Sequence, residues 1–306
     1  KYWEQSVKAD PKFPTVWRNL ALAYFNKSQY IPSFDSALED EKEKAVEYME
    51  KAFHLDKADA RVLMELDQLY KRLQHPHQER LDFLQKYPHL ISQREDLMLE
   101  EITLLNQLGH YKEAMAKLDG HQFHPWEGGE GKVPAQYQFC RVELAKKALV
   151  ARQYEEAVRL LEECLDYPSH LGEGKLYGAQ ENDIYYFLGV AYDAMGKKEH
   201  ARECWEEATQ GPQQPVAAMY YNDAKPDKIF YQGLALSKLG REDQAHGRFY
   251  KLVNYGKQHL FEKQVMDYFA VSLPDLLIWE DSLDARNEIH CKYMLALGYY
   301  GLGDHD

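Results

Sequence analysis

The sequence contains no run of about 18 apolar residues, the length a helix needs to cross a bilayer, and no N-terminal segment reads as a signal peptide. Cysteine is scarce. Cys140, Cys164, Cys204 and Cys291 lie far apart, and no two stand at metal-ligand spacing; they read as reduced core residues of a cytoplasmic protein. Basic charge is also short. Against 50 Asp and Glu there are 37 Lys and Arg, a formal charge of −13, which argues against a nucleic-acid backbone or an anionic membrane as partner. The acidic excess is accounted for by solubility. Constellations for chemistry are missing as well. His75 and His77, and His121 and His124, come in pairs without a third or fourth donor nearby. The glycine-rich run Trp126 to Lys132 lacks the Lys-Ser or Lys-Thr ending and the preceding strand of a phosphate-cradling loop. The expectation is therefore no catalytic residue, no metal and no cofactor.

What is present is periodicity. Tyr185, Leu188, Gly189 and Tyr192 follow the spacing W-x2-L-G-x2-Y; Ala201 and Trp205 follow A-x3-F, and Pro212 closes the unit. Apolar residues three and four apart make one helical face. Small residues at Gly189 and Ala201 allow two antiparallel helices to approach closely, with Gly196 in the turn. The pattern recurs in Trp17, Leu20, Ala21 and Tyr24 followed by Ala45, Met49 and Ala52; in Leu63, Leu66 and Tyr70; in Met98, Ile102, Leu105 and Gly109 followed by Ala114 and Leu118; in Leu144, Ala145 and Ala148 followed by Ala157, Leu161 and Cys164; and in Ile229, Gly233 and Leu236 followed by Ala245, Phe249 and Leu252. The second helix near Pro76 to Lys86 is poor, with Glu79 and Lys86 at the usual alanine sites. Irregular loops interrupt the array near 28–40, 119–134, 167–180 and 212–226, the last holding Tyr220 and Tyr221. Phe261 to Ala270 reads as a helix stopped by Pro274. The apolar run Leu276 to Trp279 fits no repeat position, and Leu295, Ala296, Tyr299 and Gly303 restate a first helix.

These units resemble tetratricopeptide repeats, helix–turn–helix modules of about 34 residues. The implied fold is all-α, a right-handed α-solenoid superhelix of about seven units, some degenerate, in one array over 1–306. The opening segment Tyr2 to Val7 looks like a second helix, so the chain is expected to begin mid-array as part of something longer. A narrower resemblance rests on His124-Pro125-Trp126-Glu127-Gly128-Gly129-Glu130-Gly131, on Leu171 to Lys175 with Asn182-Asp183, and on Asp267 to Leu276. Together these are similar to the C-terminal repeat region of large bacterial proteins with a β-rich, carbohydrate-related N-terminal domain of unknown function. That resemblance implies a role in carbohydrate metabolism which the repeats themselves do not demonstrate.

In a tetratricopeptide array the first helices line the concave side. The register places Phe25, Lys71, Phe139, Tyr186, Asp193, Phe230, Tyr293 and Tyr300 there, a set rich in aromatics. Leu22 and Val190 occupy positions where a carboxylate clamp of this family would carry asparagine. An aromatic groove suits an apolar peptide, a packed domain or a sugar face; the alternative is that the rings simply pack between helices. Loops that carry large aromatics and carboxylates often have functional roles, which singles out Trp126, Glu127, Glu130 and Glu173. The leading expectation is a non-catalytic protein-interaction scaffold, with a peptide, a partner protein or an N-terminal domain of the same chain as ligand. The alternative is an accessory part of a carbohydrate-active enzyme, its loops completing a neighbouring glycan site. Convergence of Trp126 with Glu127, Glu130 and Glu173 in one cleft would favour the second reading, and divergence into solvent would weigh against it.

Overall fold

A computed structural model of the chain describes residues 2–32, 34–176, 178–217, 223–265, 278–279 and 282–304. Among these the regular structure is helical, with no strand. The chain divides into two compact units, residues 1–110 with 276–281, and residues 111–275 with 282–306. The first unit holds α1 (Tyr2–Ala9), α2 (Pro14–Ser28), α3 (Ala37–Leu55), α4 (Ala60–Arg72), α5 (His77–Leu84), α6 (Pro88–Ile91) and α7 (Glu95–Gln107). The second holds α8 (Tyr111–Asp119), α9 (Lys132–Val150), α10 (Tyr154–Leu165), α11 (Asn182–Ala194), α12 (Lys198–Ala208), α13 (Pro226–Lys238), α14 (Glu242–His259) and α15 (Leu283–Leu302). Successive helices pack as pairs, α2 on α3, α9 on α10, α11 on α12 and α13 on α14. The architecture is all-α and tetratricopeptide-like.

Local chemistry sets where these helices begin and end. Pro14, Pro88 and Pro226 open α2, α6 and α13, where the missing N–H costs nothing. The Asp59 carboxylate accepts from the N–H groups of Arg61 at 2.9 Å and Val62 at 3.1 Å, capping α4. In the turn between α11 and α12, Gly196 takes φ 77°; the matching turns after α4 and α9 force Gln74 and Arg152 to φ 60° and 59°, conformations that disfavour a side chain.

Pair packing depends on small residues against large rings. A methyl group added at Gly189 of α11 would overlap the indole of Trp205 on α12, and one added at Gly233 of α13 would overlap the ring of Phe249 on α14. Trp205 donates its Nε1–H to the Tyr186 carbonyl at 3.3 Å, and Ala201 is completely buried beside it. At the far end of α12, amide side chains from neighbouring helices satisfy carbonyls that the helix leaves open. Asn182 donates to the carbonyls of Ala208 at 2.9 Å and Gln210 at 2.8 Å, and Gln232 to those of Gln210 and Pro212, both at 2.9 Å. Asn287 treats the end of α14 in the same way, donating to the His259 carbonyl at 2.7 Å and the Glu262 carbonyl at 3.3 Å.

The weak helix α5 is anchored by charge instead of by alanine packing. Arg80 is 2% exposed. It donates to both carboxylate oxygens of the buried Asp67 on α4, at 2.7 and 3.1 Å, and to Glu100 on α7 at 2.6 Å. Burial pushes the Asp67 carboxyl up, against the pull of Arg80, so this aspartate depends on its partner to stay ionised.

Several sequence expectations shift. The loop near 28–40 ends at Ser36, since α3 starts at Ala37, and the loop at 119–134 ends at Gly131, whose φ of 72° starts α9. The helix expected over Phe261 to Ala270 does not form in its first half. α14 stops at His259, where Asn287 occupies the open carbonyls, and residues 262–265 carry no helix. Residues 266–277 lie outside the described residues, with Ala270, Pro274, Leu276, Leu277 and the Asp267 to Leu276 phrase, as do Tyr220 and Tyr221.

Two stability outcomes follow from these contacts. Gly189→Ala, and likewise Ala201→Leu, should destabilise by about 1–3 kcal/mol through overpacking, whereas Gly247→Ala, with nothing within 4 Å of the added methyl, should stabilise α14 by about 1 kcal/mol. Equal thermal midpoints for Gly189→Ala and Gly247→Ala would show that the α11–α12 contact is misassigned. Arg80→Met should cost about 3–5 kcal/mol, because it leaves the buried Asp67 carboxyl and Glu100 without their partner; a denaturant midpoint near that of the parent would rule this out.

Candidate functional site

The second unit carries a run of aromatic rings across its first helices. Tyr186 on α11 and Tyr231 on α13 have ring centroids 5.5 Å apart, Tyr231 and Phe230 5.6 Å, and Phe230 and Tyr300 on α15 6.1 Å. Phe139 on α9 meets the edge of the Tyr111 ring at 6.1 Å. Phe139, Tyr293 and Tyr300 remain 43%, 46% and 65% exposed. Carboxylates border this face. Lys228 pairs with Asp183 and, at 3.7 Å, with Asp227. Burial, together with Asp227 and Asp183, pushes the Tyr293 hydroxyl up to about 12, and burial raises Tyr231 beside the same two groups.

The expected groove residues do not all share this face. Phe230 is a core side chain, buried with Ile229 and Phe249; the neighbouring Tyr231 makes the ring contacts to α11, and sequence register missed it by one residue. Asp193, in the last turn of α11, is engaged by Lys198 at 2.6 Å. Phe25 belongs to the first unit and is buried. Lys71, also in the first unit, pairs with Glu100 at 3.0 Å.

The two glycine-bearing loops of the second unit are joined by hydrogen bonds. The Phe123 N–H donates to the His170 carbonyl at 2.7 Å, Gln122 donates to the Ser169 carbonyl at 3.3 Å, and the Gly131 N–H donates to Glu173 Oε2 at 2.7 Å. The half-buried indole of Trp126 lies over Gly129, which has no room for a Cβ. Pro125, Trp126, Glu127, Glu130 and Glu173 thereby line one open cleft of about 340 Å³. The four residues singled out in sequence converge there. Burial raises the Glu173 carboxyl from its ordinary value, the Gly131 N–H opposes this, and the charge of Glu130 adds to it.

The remaining candidates for chemistry have packing partners. His75 stacks on Tyr70, and His121 meets the edge of Phe123, both with centroids 4.6 Å apart. Among the described residues no group of three His, Cys, Asp or Glu is placed to hold a metal ion, and no helix is long and apolar enough to cross a membrane. Burial pushes the thiols of Cys140 and Cys204 up to about 11, which suppresses thiolate chemistry near neutral pH.

Glu173 supplies a pH-dependent observable. Its folded midpoint lies above its unfolded one, so the stability it contributes is present at low pH and is lost as pH rises through the folded midpoint. A ¹H–¹⁵N titration should show the Gly131 amide following this midpoint, and Glu130→Gln should lower it. A Gly131 amide that ignores pH between 3 and 8, on the order of the span over which carboxylates titrate, would contradict the clasp between the loops.

No protein-family model matches the chain. Among solved structures it is similar to YrrB, described as a TPR protein with an unusual peptide-binding site, at 18% identity over 68% of this chain and 91% of that one, with a TM-score of 0.43. It is also similar to a tetratricopeptide repeat protein from Parabacteroides merdae, at 14% identity over 92% and 99% of the two chains and a TM-score of 0.32. A third similarity is to Naa15/Naa10 bound to HypK-THB, at 10% identity and a TM-score of 0.43, covering 99% of this chain and 48% of that one. At identities this low a shared ligand does not follow.

Proposed function

We propose that the chain is a non-catalytic interaction scaffold that binds a protein segment along the aromatic face of the second unit. On this reading residues 1–306 form one repeat array, with Phe139, Tyr186, Tyr293 and Tyr300 as contact residues and Asp193 at the margin. The observation that carries the proposal is the partial exposure of Tyr293 and Tyr300 beside the packed rings of Tyr186, Tyr231 and Phe230. Apolar rings left in water are costly, a contiguous exposed patch of them marks an interaction surface, and such rings dominate binding hot spots. Asp183 and Asp227, paired with Lys228, border the face with balanced charge, so the rings carry the recognition.

A second reading concerns the Trp126 cleft. Its supporting observation is the convergence of that indole with Glu127, Glu130 and Glu173. An indole face stacks on the C–H face of a sugar ring, and carboxylates accept from its hydroxyls. The cleft would then serve as the glycan-contacting edge of a larger carbohydrate-active assembly. A panel of soluble oligosaccharides, titrated while the Trp126 indole N–H is followed by NMR, separates the readings. A saturable shift that is absent in Trp126→Ala supports the glycan site; no shift with any sugar removes it and leaves the scaffold reading alone.

Peptides selected from a random display library against the full chain should lose at least about tenfold in affinity on Tyr300→Ser or Tyr293→Ser, about 1.4 kcal/mol, with little change in thermal midpoint. Tyr250→Ser provides the control, because Tyr250 is 54% exposed on α14, a second helix of its pair. Binding that survives both groove substitutions and is lost with Tyr250→Ser would overturn the proposal.

A further inference from the structure

The cleft lined by Pro125, Trp126, Glu127, Glu130 and Glu173 holds three carboxylates and, among the described residues that line it, no basic side chain. Other shielded carboxylates of the chain sit against a cation. Glu65 is held by Arg18 and by Arg61 at 2.9 Å, Asp67 by Arg80 at 2.7 Å, Glu41 by Lys27 at 2.9 Å, and Glu181 by Lys175 at 2.7 Å. Glu173 is half-buried, and it accepts instead from a backbone N–H, that of Gly131 at 2.7 Å. Burial raises its carboxyl, and the charge of Glu130 raises it further. Like charges bordering one cleft give it a negative potential that attracts a positive ligand.

The form of the cleft narrows the class of cation. Among the described residues no group of three acidic or metal-ligating side chains is placed to hold a metal ion. The carboxylates border an open space of about 340 Å³ instead, and one wall of it is an indole. Gly129 backs the Trp126 ring so closely that a Cβ there would overlap it, and the Gly131 to Glu173 hydrogen bond ties together the two loops that carry the acids. The wall and the charges are therefore set before any ligand arrives. An aromatic face attracts a cation through its quadrupole. A guanidinium is planar, always charged, stacks on aromatic faces and donates to carboxylates in a fork. A neutral sugar stacks on the same indole but leaves the three charges uncompensated.

We infer that the Trp126 cleft is a binding site for an arginine side chain of a protein partner, with the guanidinium stacked on the indole and its N–H groups donated to the glutamates. The inference rests on the scaffold reading for the source of the side chain, adds a contact apart from the ring face, and competes with a glycan for the same cleft. Arginine is preferred to lysine because an ammonium on a flexible stem does not stack and fork at once.

The test titrates the full 306-residue chain with a tripeptide of glycine, arginine and glycine capped at both ends. The Trp126 indole N–H, assigned with Trp126→Ala, is followed by NMR. Matched tripeptides carry lysine, or citrulline, which keeps the shape of arginine without its charge. The arginine peptide is expected to give a saturable shift, with affinity at least about tenfold above that of the citrulline peptide. Glu130→Gln, a change at an exposed side chain, is expected to weaken it severalfold. The Gly131 amide should report a lower Glu173 midpoint with the arginine peptide bound, because a cation favours the ionised carboxylate. No shift with the arginine peptide, or equal affinity for the citrulline or lysine peptide, overturns the inference. A saturable shift with neutral oligosaccharides and none with the arginine peptide also overturns it, in favour of the glycan. Each of these failures leaves the ring face to its own test, since Tyr293→Ser and Tyr300→Ser report on that face separately.

Discussion

A pair of amphipathic helices cannot bury its own apolar face, and this structure is organised around that constraint. Two pairs, α11–α12 and α13–α14, are drawn close by a glycine set against a large ring, Gly189 on Trp205 and Gly233 on Phe249. The closeness matters because the ring fills the volume a side chain would otherwise take, and interiors tolerate neither voids nor overlap. What one pair leaves uncovered, the next covers. Ala145, Ala157, Ala191, Ala201, Ala235 and Ala245 are completely buried in these contacts.

Two consequences follow for surfaces. Helix ends need acceptors and donors that the helix does not provide, and Asn182, Gln232 and Asn287 supply them from the side. These bonds fix the loops that follow α12 and α14 to neighbouring first helices. The faces left over by pairing are the first-helix rings and the loops between pairs. Both lie where no stacking neighbour within the pair covers them.

Pair packing was legible in sequence because it depends on local spacing. Gly189 and Ala201 stand at positions where residue size alone predicts a close contact, and Trp205 fills it. The convergence of Trp126, Glu127, Glu130 and Glu173 was legible only as two unusual loops; the hydrogen bond from Gly131 to Glu173 joins them, and no spacing encodes it. Phe230 was assigned to the groove in place of Tyr231 because one residue turns a helical side chain by about 100°. α5 looked degenerate because it lacks the usual alanines; besides Leu81 and Leu84, its anchor is the Arg80, Asp67 and Glu100 network. Trp279 was unreadable for a different reason: its partner Glu65 is 214 residues away.

The central claim is that stability resides in nearest-neighbour helix contacts within each unit. Native-state hydrogen exchange tests it most directly. The account predicts a graded profile, with α1, which buries no residue, exchanging first, and with α11 and α13, each packed against helices on two sides, exchanging last. Exchange from every helix at one common free energy, α1 included, would contradict it.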